Sequence, residues 1–515
     1  MRIICEILLV FSFFVGDVLS SKILIVMPFP LYSHSMVFIP FFKALAEKGH
    51  QVTYMSPYAS KVSAPNFKGI EINITVSKIA KYSTFRPHEF KGCWYEMFGL
   101  WRHCTGMTSF MLSEITHLLP PKSENFDLVI VEPHFCQEPL GILGHYYNAH
   151  LVTLMPGPVN PSIAYHTGTP TNPSYIPLIR AGYTDRMTFW ERLGNTFLTT
   201  SELIGHHLYF LPIQDRVMRD WLKDPNLPYL GDALNNVSVS LVETHYSINY
   251  PRPYSRNVVE VGGVSLKVPQ QLPDDLEKYI SESKHGVIYF SWGSHFEGKN
   301  LESALDHIME SFKYVKQRVI FKMANRTFSS VPENVLIRPW VPQTSVLSHD
   351  NVVLFISHCG LNSIYESAYH GVPVLGTPAF ADQFHNARLI ENLGQGIAVD
   401  PRTITDYSKI LPAMKKILND PSYRERAKKR ISIIRDKPMP LIDEAIYWVE
   451  YVIRHNGAPH LRPASLDLAW YQLFLIDIIA FVLCVFFSII ALLWYIIKIF
   501  CRKSVTSVHA RKKVQ

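Results

Sequence analysis

Residues Ile478–Ile497 form a run of 20 residues without a charge, and no other stretch restricts the chain's folding so strongly. At 1.5 Å per residue a helix of that length covers about 30 Å, the thickness of a bilayer's hydrocarbon core. Trp470 and Tyr471 precede the run and Trp494 and Tyr495 close it, as interfacial aromatic belts do. A buried core helix is the alternative reading, and the flanking charges argue against it. Lys498, Arg502, Lys503, Arg511, Lys512 and Lys513 follow without an acid, which predicts a cytosolic basic tail. At the other end, Met1-Arg2 and the apolar stretch Ile3 to Val15 read as a signal peptide (residues 1–20), cleaved before Ser21. The expectation is a single-pass type I membrane protein with about 450 residues in the lumen.

Those six tail charges carry most of the formal net charge of +7, so the basic balance gives no reason to expect nucleic-acid binding by the large luminal part. Lys512-Lys513-Val514-Gln515 resembles the dilysine retrieval signal of endoplasmic-reticulum membrane proteins. Only Cys93, Cys104, Cys136 and Cys359 are luminal, which excludes a disulfide-built scaffold. Cys93 and Cys104 are the nearest pair, but spacing selects no partner. Asn73, Asn236 and Asn325 head sequons for N-glycosylation, whereas Asn172 is blocked by Pro173.

Between the ends, apolar strands alternate with helical patterns. Strands are predicted at Lys22–Met27, Gln51–Met55, Phe126–Glu132 and His150–Met155, with a helix over Met36–Gly49. A second series has strands at Val287–Phe290, Val319–Lys322, Val352–Ile356 and Pro373–Gly376. Such alternation predicts α/β domains built on parallel sheets, and ligands then belong at the carboxyl ends of the strands. The Pro- and Gly-rich segment Tyr250–Pro273 reads as a hinge. The domain expectation is 21–250 for the first unit, 251–284 for a linker and 285–455 for the second unit. A juxtamembrane segment (456–475), the membrane helix (476–497) and the tail (498–515) complete the chain.

The most informative stretch runs from residue 339 to 387. A strand ends in Ser357-His358-Cys359-Gly360 and a helix starts near Leu361, an arrangement whose free amides and dipole favour an anion. His358, Asn362 and Ser363 add side-chain donors. Glu366 lies one turn further on the same side, placed to accept hydrogen bonds from two ribose hydroxyls. Trp340 offers a flat ring for a base, Gln343 an amide for a base edge, and Asp382-Gln383 polar groups for sugar hydroxyls.

Trp340-x-x-Gln343, the run His358-Cys359-Gly360-x-Asn362-Ser363-x-x-Glu366 and Asp382-Gln383 resemble the signature of the UDP-glycosyltransferase superfamily. The chain is most similar to its membrane-bound animal members, the arthropod branch in particular. The resemblance implies an α/β fold of the GT-B type, with two facing Rossmann-like domains. It implies uracil contacts for Trp340 and Gln343, and diphosphate contacts for Ser294, His358, Gly360, Asn362 and Ser363. Ribose binding falls to Glu366 and donor-sugar binding to Asp382 and Gln383. The UDP-sugar is a co-substrate, and neither a cofactor nor a metal is implied.

Gly293 through Gly298 to Lys299 mimics a triphosphate loop, but Asn300 stands where that loop needs Ser or Thr for Mg²⁺, so an ATPase is not expected. No Asp-x-Asp pair occurs in the sequence to bridge a metal-bound diphosphate. His34, after the first strand, is the expected general base. The family's usual partner aspartate corresponds here to Glu132, one methylene longer, while Asp127 reads as structural. The aromatic run "CWYEMFGLW" (Cys93–Trp101), with Phe189, Trp190 and Phe197, suits either a lipophilic acceptor pocket or a core. Trp292 and Cys359 depart from vertebrate habits and favour glucose as the transferred sugar. The expected reaction is an inverting transfer to a small lipophilic acceptor such as a phenol or aromatic polyketide, giving a β-O-glycoside or C-glycoside. UDP-glucuronate as donor, or a non-catalytic membrane-tethered binding protein, are the alternatives. A homo-oligomer is compatible with the sequence.

Overall fold

The structure, a computed structural model, describes residues 20–82, 93–293, 301–324, 326–379 and 381–511, without the side chains of 93–97 and 501–511. Residues 1–19 of the expected signal peptide, Ser294, Asn325 and Lys512-Lys513 lie outside the described residues. The chain divides into two compact units, residues 1–462 and 463–515.

The first unit holds two sheets. In one, β1 (Lys22–Val26), β2 (Gln51–Ser56), β3 (Phe67–Glu71), β4 (Leu128–Val131), β5 (His150–Met155), β6 (Val239–Val242) and β7 (Val258–Glu260) lie in the order β3-β2-β1-β4-β5-β6-β7. In the other, β8 (Val287–Ser291), β9 (Arg318–Lys322), β10 (Val335–Arg338), β11 (Val352–Ser357), β12 (Val374–Gly376) and β13 (Gly396–Ala398) lie in the order β10-β9-β8-β11-β12-β13. Every pairing is parallel. The central strands are buried on both faces, which is why they read as near-continuous apolar runs.

The helices that matter here are α1 (Tyr32–Glu47), α2 (Cys93–Thr116), α3 (Phe189–Gly205), α4 (Gln343–Ser348), α5 (Leu361–His370), α6 (Gln383–Asn392), α7 (Leu441–Arg454) and α8 (Ile476–Arg511). Ile23 and Ile25 of β1 face Phe38, Phe41 and Phe42 of α1, whereas Leu24 and Val26 face Met111 and Ile115 of α2. Both faces of the sheet are therefore cores. Phe41 is wholly buried, and its truncation to alanine would cost about 3–5 kcal/mol. In the second sheet, Tyr289 and Phe355 stack at 5.1 Å on the face covered by α5, and Phe290 and Phe321 stack at 4.3 Å on the other.

Three features differ from the sequence reading. Helix α1 begins four residues before Met36 and carries His34 in its first turn, since Pro30 precedes the helix rather than interrupting that turn. The expected linker 251–284 contains β7, a three-residue strand of the first sheet too short for a periodic signal. Helix α7 lies within the span assigned to the second unit. Its apolar stripe (Ala445, Ile446, Val449, Val452) nevertheless packs into the first sheet's core.

The second unit contains α8, whose apolar segment Ile476–Phe500 has 25 residues. Among the described residues it is the one helix long and apolar enough to cross a membrane.

Candidate active site

In each sheet the chain winds outward one way and then resumes on the other side of the first strand. The reversals fall between β1 and β4, and between β8 and β11. Crevices at the carboxyl ends of such strand pairs are where open α/β sheets bind ligands, and the expected site residues stand at both.

At the first crevice, His34 follows β1 and Glu132 follows β4. His34 Nδ1 lies 2.6 Å from Glu132 Oε1, with the imidazole 16% exposed and the carboxylate 1%. In the tautomer that donates from Nδ1 to this carboxylate, Nε2 keeps its lone pair. The extra methylene of glutamate is thus accommodated within hydrogen-bond distance. Asp127 instead accepts from the Lys22 amide at 2.7 Å, a structural role.

The loop beyond Glu132 is held on several sides. Phe135 and Cys136 adopt left-handed backbone conformations (φ 51° and 69°), which cost non-glycine residues free energy. Cys136 forms a disulfide with Cys104 of α2, 32 residues away, so the sequence-nearest partner Cys93 is not the one used. Thr108 Oγ1 donates to the Cys136 carbonyl at 2.7 Å, and the Phe29 amide donates to Gln137 Oε1 at 3.3 Å. Phe135 meets the His34 ring edge-on at 5.2 Å.

At the second crevice, β11 ends at Ser357 and Gly360 caps α5 with extended backbone and no side-chain cap bond, leaving its first amides available. Gly293, at φ 82°, lies against His358, where an added Cβ would meet the ring at 3.0 Å. Burial pushes His358 down to about 4, so its ring stays neutral near neutral pH. His358 Nδ1 and Asn362 Oδ1 are buried without a hydrogen-bond partner among the described residues. Cys359 takes φ 64° and is fully buried, and burial raises its thiol far above the ordinary range.

Gln343, Ser363 and Glu366 come together here. Gln343 Nε2 and Thr344 Oγ1 donate to the two oxygens of Glu366, and Gln343 Nε2 also reaches Ser363 Oγ at 3.2 Å. Trp340 is 64% exposed at the rim, with Lys322 Nζ 4.4 Å from its ring centre. Asp382 is raised by burial. Asn386 Nδ2 donates to its Oδ2 at 2.7 Å and to the Cys359 carbonyl at 3.0 Å, tying Asp382 to the turn. Gln383 Oε1 accepts from the Ala379 amide at 2.8 Å, so this side chain braces the loop before α6. Trp292 does likewise, donating to Thr377 Oγ1 at 2.6 Å.

His34 and Arg180, both on the first half, lie within electrostatic reach of Asp382 on the second. Sequence reading missed Arg180, Lys322, Thr344 and Asn386. Lys322 ends β9 beside the switch point, a position that could have singled it out. The aromatic expectations divide. Trp101 is buried beside a cavity in the first half, whereas Phe189, Trp190 and Phe197 of α3 are 59–75% exposed. Asn73 and Asn236 are exposed.

The family model described as UDP-glucoronosyl and UDP-glucosyl transferase matches residues 22–513. A UDP-glycosyltransferase of Dactylopius coccus, UGT5, is 33% identical over 95% of this chain and 94% of its own. The human 2-hydroxyacylsphingosine 1-beta-galactosyltransferase is 30% identical over 97% of this chain and 92% of its own. The crystal structure of CalG4, the calicheamicin glycosyltransferase, superposes with a TM-score of 0.57 at 17% identity, covering 84% of this chain and 99% of its own. That likeness fixes the fold as GT-B.

Proposed function

The chain belongs to the UDP-glucoronosyl and UDP-glucosyl transferase family and is a glycosyltransferase; we propose that it moves glucose from UDP-glucose to a small aromatic hydroxyl compound, with inversion. The observation that carries the mechanism is the 2.6 Å bond between His34 Nδ1 and Glu132, on the half of the site that faces Asp382. Nε2 of His34 takes the proton from the acceptor hydroxyl as its oxygen attacks the anomeric carbon. The bond from that carbon to the diphosphate oxygen breaks, and UDP leaves with the electron pair. Glu132 stabilises the imidazolium that forms.

On the donor side, the uncapped amides of α5 with His358, Asn362 and Ser363 receive the diphosphate. A neutral imidazole and backbone amides supply donors without a counter-charge that would hold the departing UDP. Glu366 and Gln343 take the ribose and uracil, Trp340 stacks on the base, and Asp382 receives sugar hydroxyls while Gln383 fixes its loop. The enzyme works from the endoplasmic-reticulum membrane, anchored by Ile476–Phe500 with its catalytic half in the lumen and glycans at Asn73 and Asn236.

The test is UDP release by membranes carrying the chain, given UDP-glucose, UDP-galactose or UDP-glucuronate with a panel of phenols. Acceptor-dependent release with UDP-glucose supports the proposal. Turnover of another donor in its place rejects glucose, and no release with any pair rejects catalysis.

A further inference from the structure

A cavity of about 70 Å³ lies in the first half, lined by residues that follow Glu132 in the chain. One wall is the loop after Glu132, whose Phe135 touches the His34 ring. Another is aromatic, where Trp101 and Phe210 stack at 5.3 Å. The remaining lining is polar to a degree a purely lipophilic ligand would not need.

Some of those polar groups satisfy one another. His166 Nδ1 lies 2.7 Å from Asn235 Oδ1, and its Nε2 lies 3.3 Å from Nε2 of His206. Two do not: His134 Nε2 and Glu138 Oε2 are buried without a hydrogen-bond partner among the described residues, and each residue is only 8% exposed. Both residues line the cavity, and both interact electrostatically with the catalytic pair, His134 with His34 and Glu138 with Glu132. A buried polar atom without a partner is costly, and a ligand that supplies the partner recovers that cost on binding.

We propose that this cavity is a polar subsite for a second hydroxyl of the acceptor, held by Glu138 and His134, so that the preferred acceptors are aromatic rings bearing at least two hydroxyls. The inference rests on the glycosyltransfer reading above. The ring packs against the Trp101–Phe210 wall, one hydroxyl meets Nε2 of His34, and another reaches Glu138 or His134. Burial pushes Glu138 up to about 8 and His134 down to about 3. Near neutral pH the first is therefore a neutral acid that can donate, and the second a neutral imidazole. That pairing suits an uncharged hydroxyl, which both donates and accepts, better than a carboxylate.

The test uses the full chain in membranes with UDP-glucose and matched acceptors: phenol against catechol, resorcinol and hydroquinone. At least one dihydric isomer should exceed phenol in kcat/KM by roughly tenfold or more. Glu138→Leu should bring that ratio close to 1, and Glu138→Gln, which keeps hydrogen-bonding capacity, should retain most of it. The wild-type comparison needs no variant, so a folding failure of Glu138→Leu leaves the proposal exposed to test. A ratio near 1 in the wild type, or one unchanged in both Glu138→Leu and His134→Phe, overturns the subsite while leaving glycosyltransfer standing. Failure to glycosylate any phenol, mono- or dihydric, overturns the underlying reading instead.

Discussion

Replacing Glu132 by glutamine keeps the shape of the side chain and an oxygen able to accept from His34 Nδ1, but removes the charge. At the transition state His34 becomes an imidazolium about 4 Å from the carboxylate charge, given the 2.6 Å contact between Nδ1 and Oε1. With an effective dielectric near 20, two unit charges at that distance attract by roughly 4 kcal/mol. Some is recovered by the amide dipole, so the net loss is about 3 kcal/mol, or a 100- to 1,000-fold fall in kcat. Glu132→Asp shortens the side chain by about 1.5 Å. Without backbone movement the bond is lost, and a fall of similar size is expected. The assay is single-turnover UDP formation, with UDP affinity measured in parallel by calorimetry and folding checked by thermal melting. UDP affinity should stay within about twofold, because no donor-contacting residue lies on β4. A fall in kcat of less than fivefold in a folded Glu132→Gln protein would refute the dyad. So would a tenfold loss of UDP affinity.

Four further outcomes are expected. His34→Ala should reduce transfer by at least 10²- to 10⁴-fold with UDP binding intact, measured as in the Glu132 experiment. Trp340→Ala should weaken UDP binding by roughly 1–3 kcal/mol while His34-dependent chemistry on saturating donor survives, which a KM-against-kcat comparison reads directly. Glu243 is fully buried, and burial pushes it up to about 8. Its contribution to stability is complete below the unfolded value of 4.5 and is lost as pH rises towards 8, so melting temperature should fall over that window. Glu243→Gln should flatten that slope without abolishing it, since Glu138, Glu202 and Glu260 are raised in the same direction. Replacing Cys104 and Cys136 together by serine opens a loop of 32 residues and should cost about 4 kcal/mol in the chain-entropy account, seen as a lowered melting temperature.

The central strands and the turn after β11 were legible because a strand buried on both faces leaves an unbroken apolar run, and an abrupt change to Ser-His-Cys-Gly marks its end. Edge strands were not. Of the five residues of β3, three are exposed, so Phe67–Glu71 shows neither a run nor an alternation. The candidate diphosphate and ribose positions were legible as a spacing, and Asn362, Ser363 and Glu366 do share α5. Contacts made between elements were not: Thr344 reaches Glu366 from α4, and Asn386 reaches Cys359 from α6. The disulfide illustrates the same limit. Cys104 and Cys136 meet because α2 packs across the carboxyl end of β4, and chain separation carries no trace of that.

The return of α7 to the first core has a practical corollary for anyone dividing this protein. The polypeptide visits its amino-terminal half twice, so the half built on β8 to β13 is topologically an insertion and no single scission yields two self-sufficient fragments. Trimming the chain at residue 440 would strip Ala445, Ile446, Val449 and Val452 from the apolar surface they cover and invite aggregation. A cut between Arg462 and Ile476 leaves that clasp in place, and so is the position for releasing a soluble catalyst.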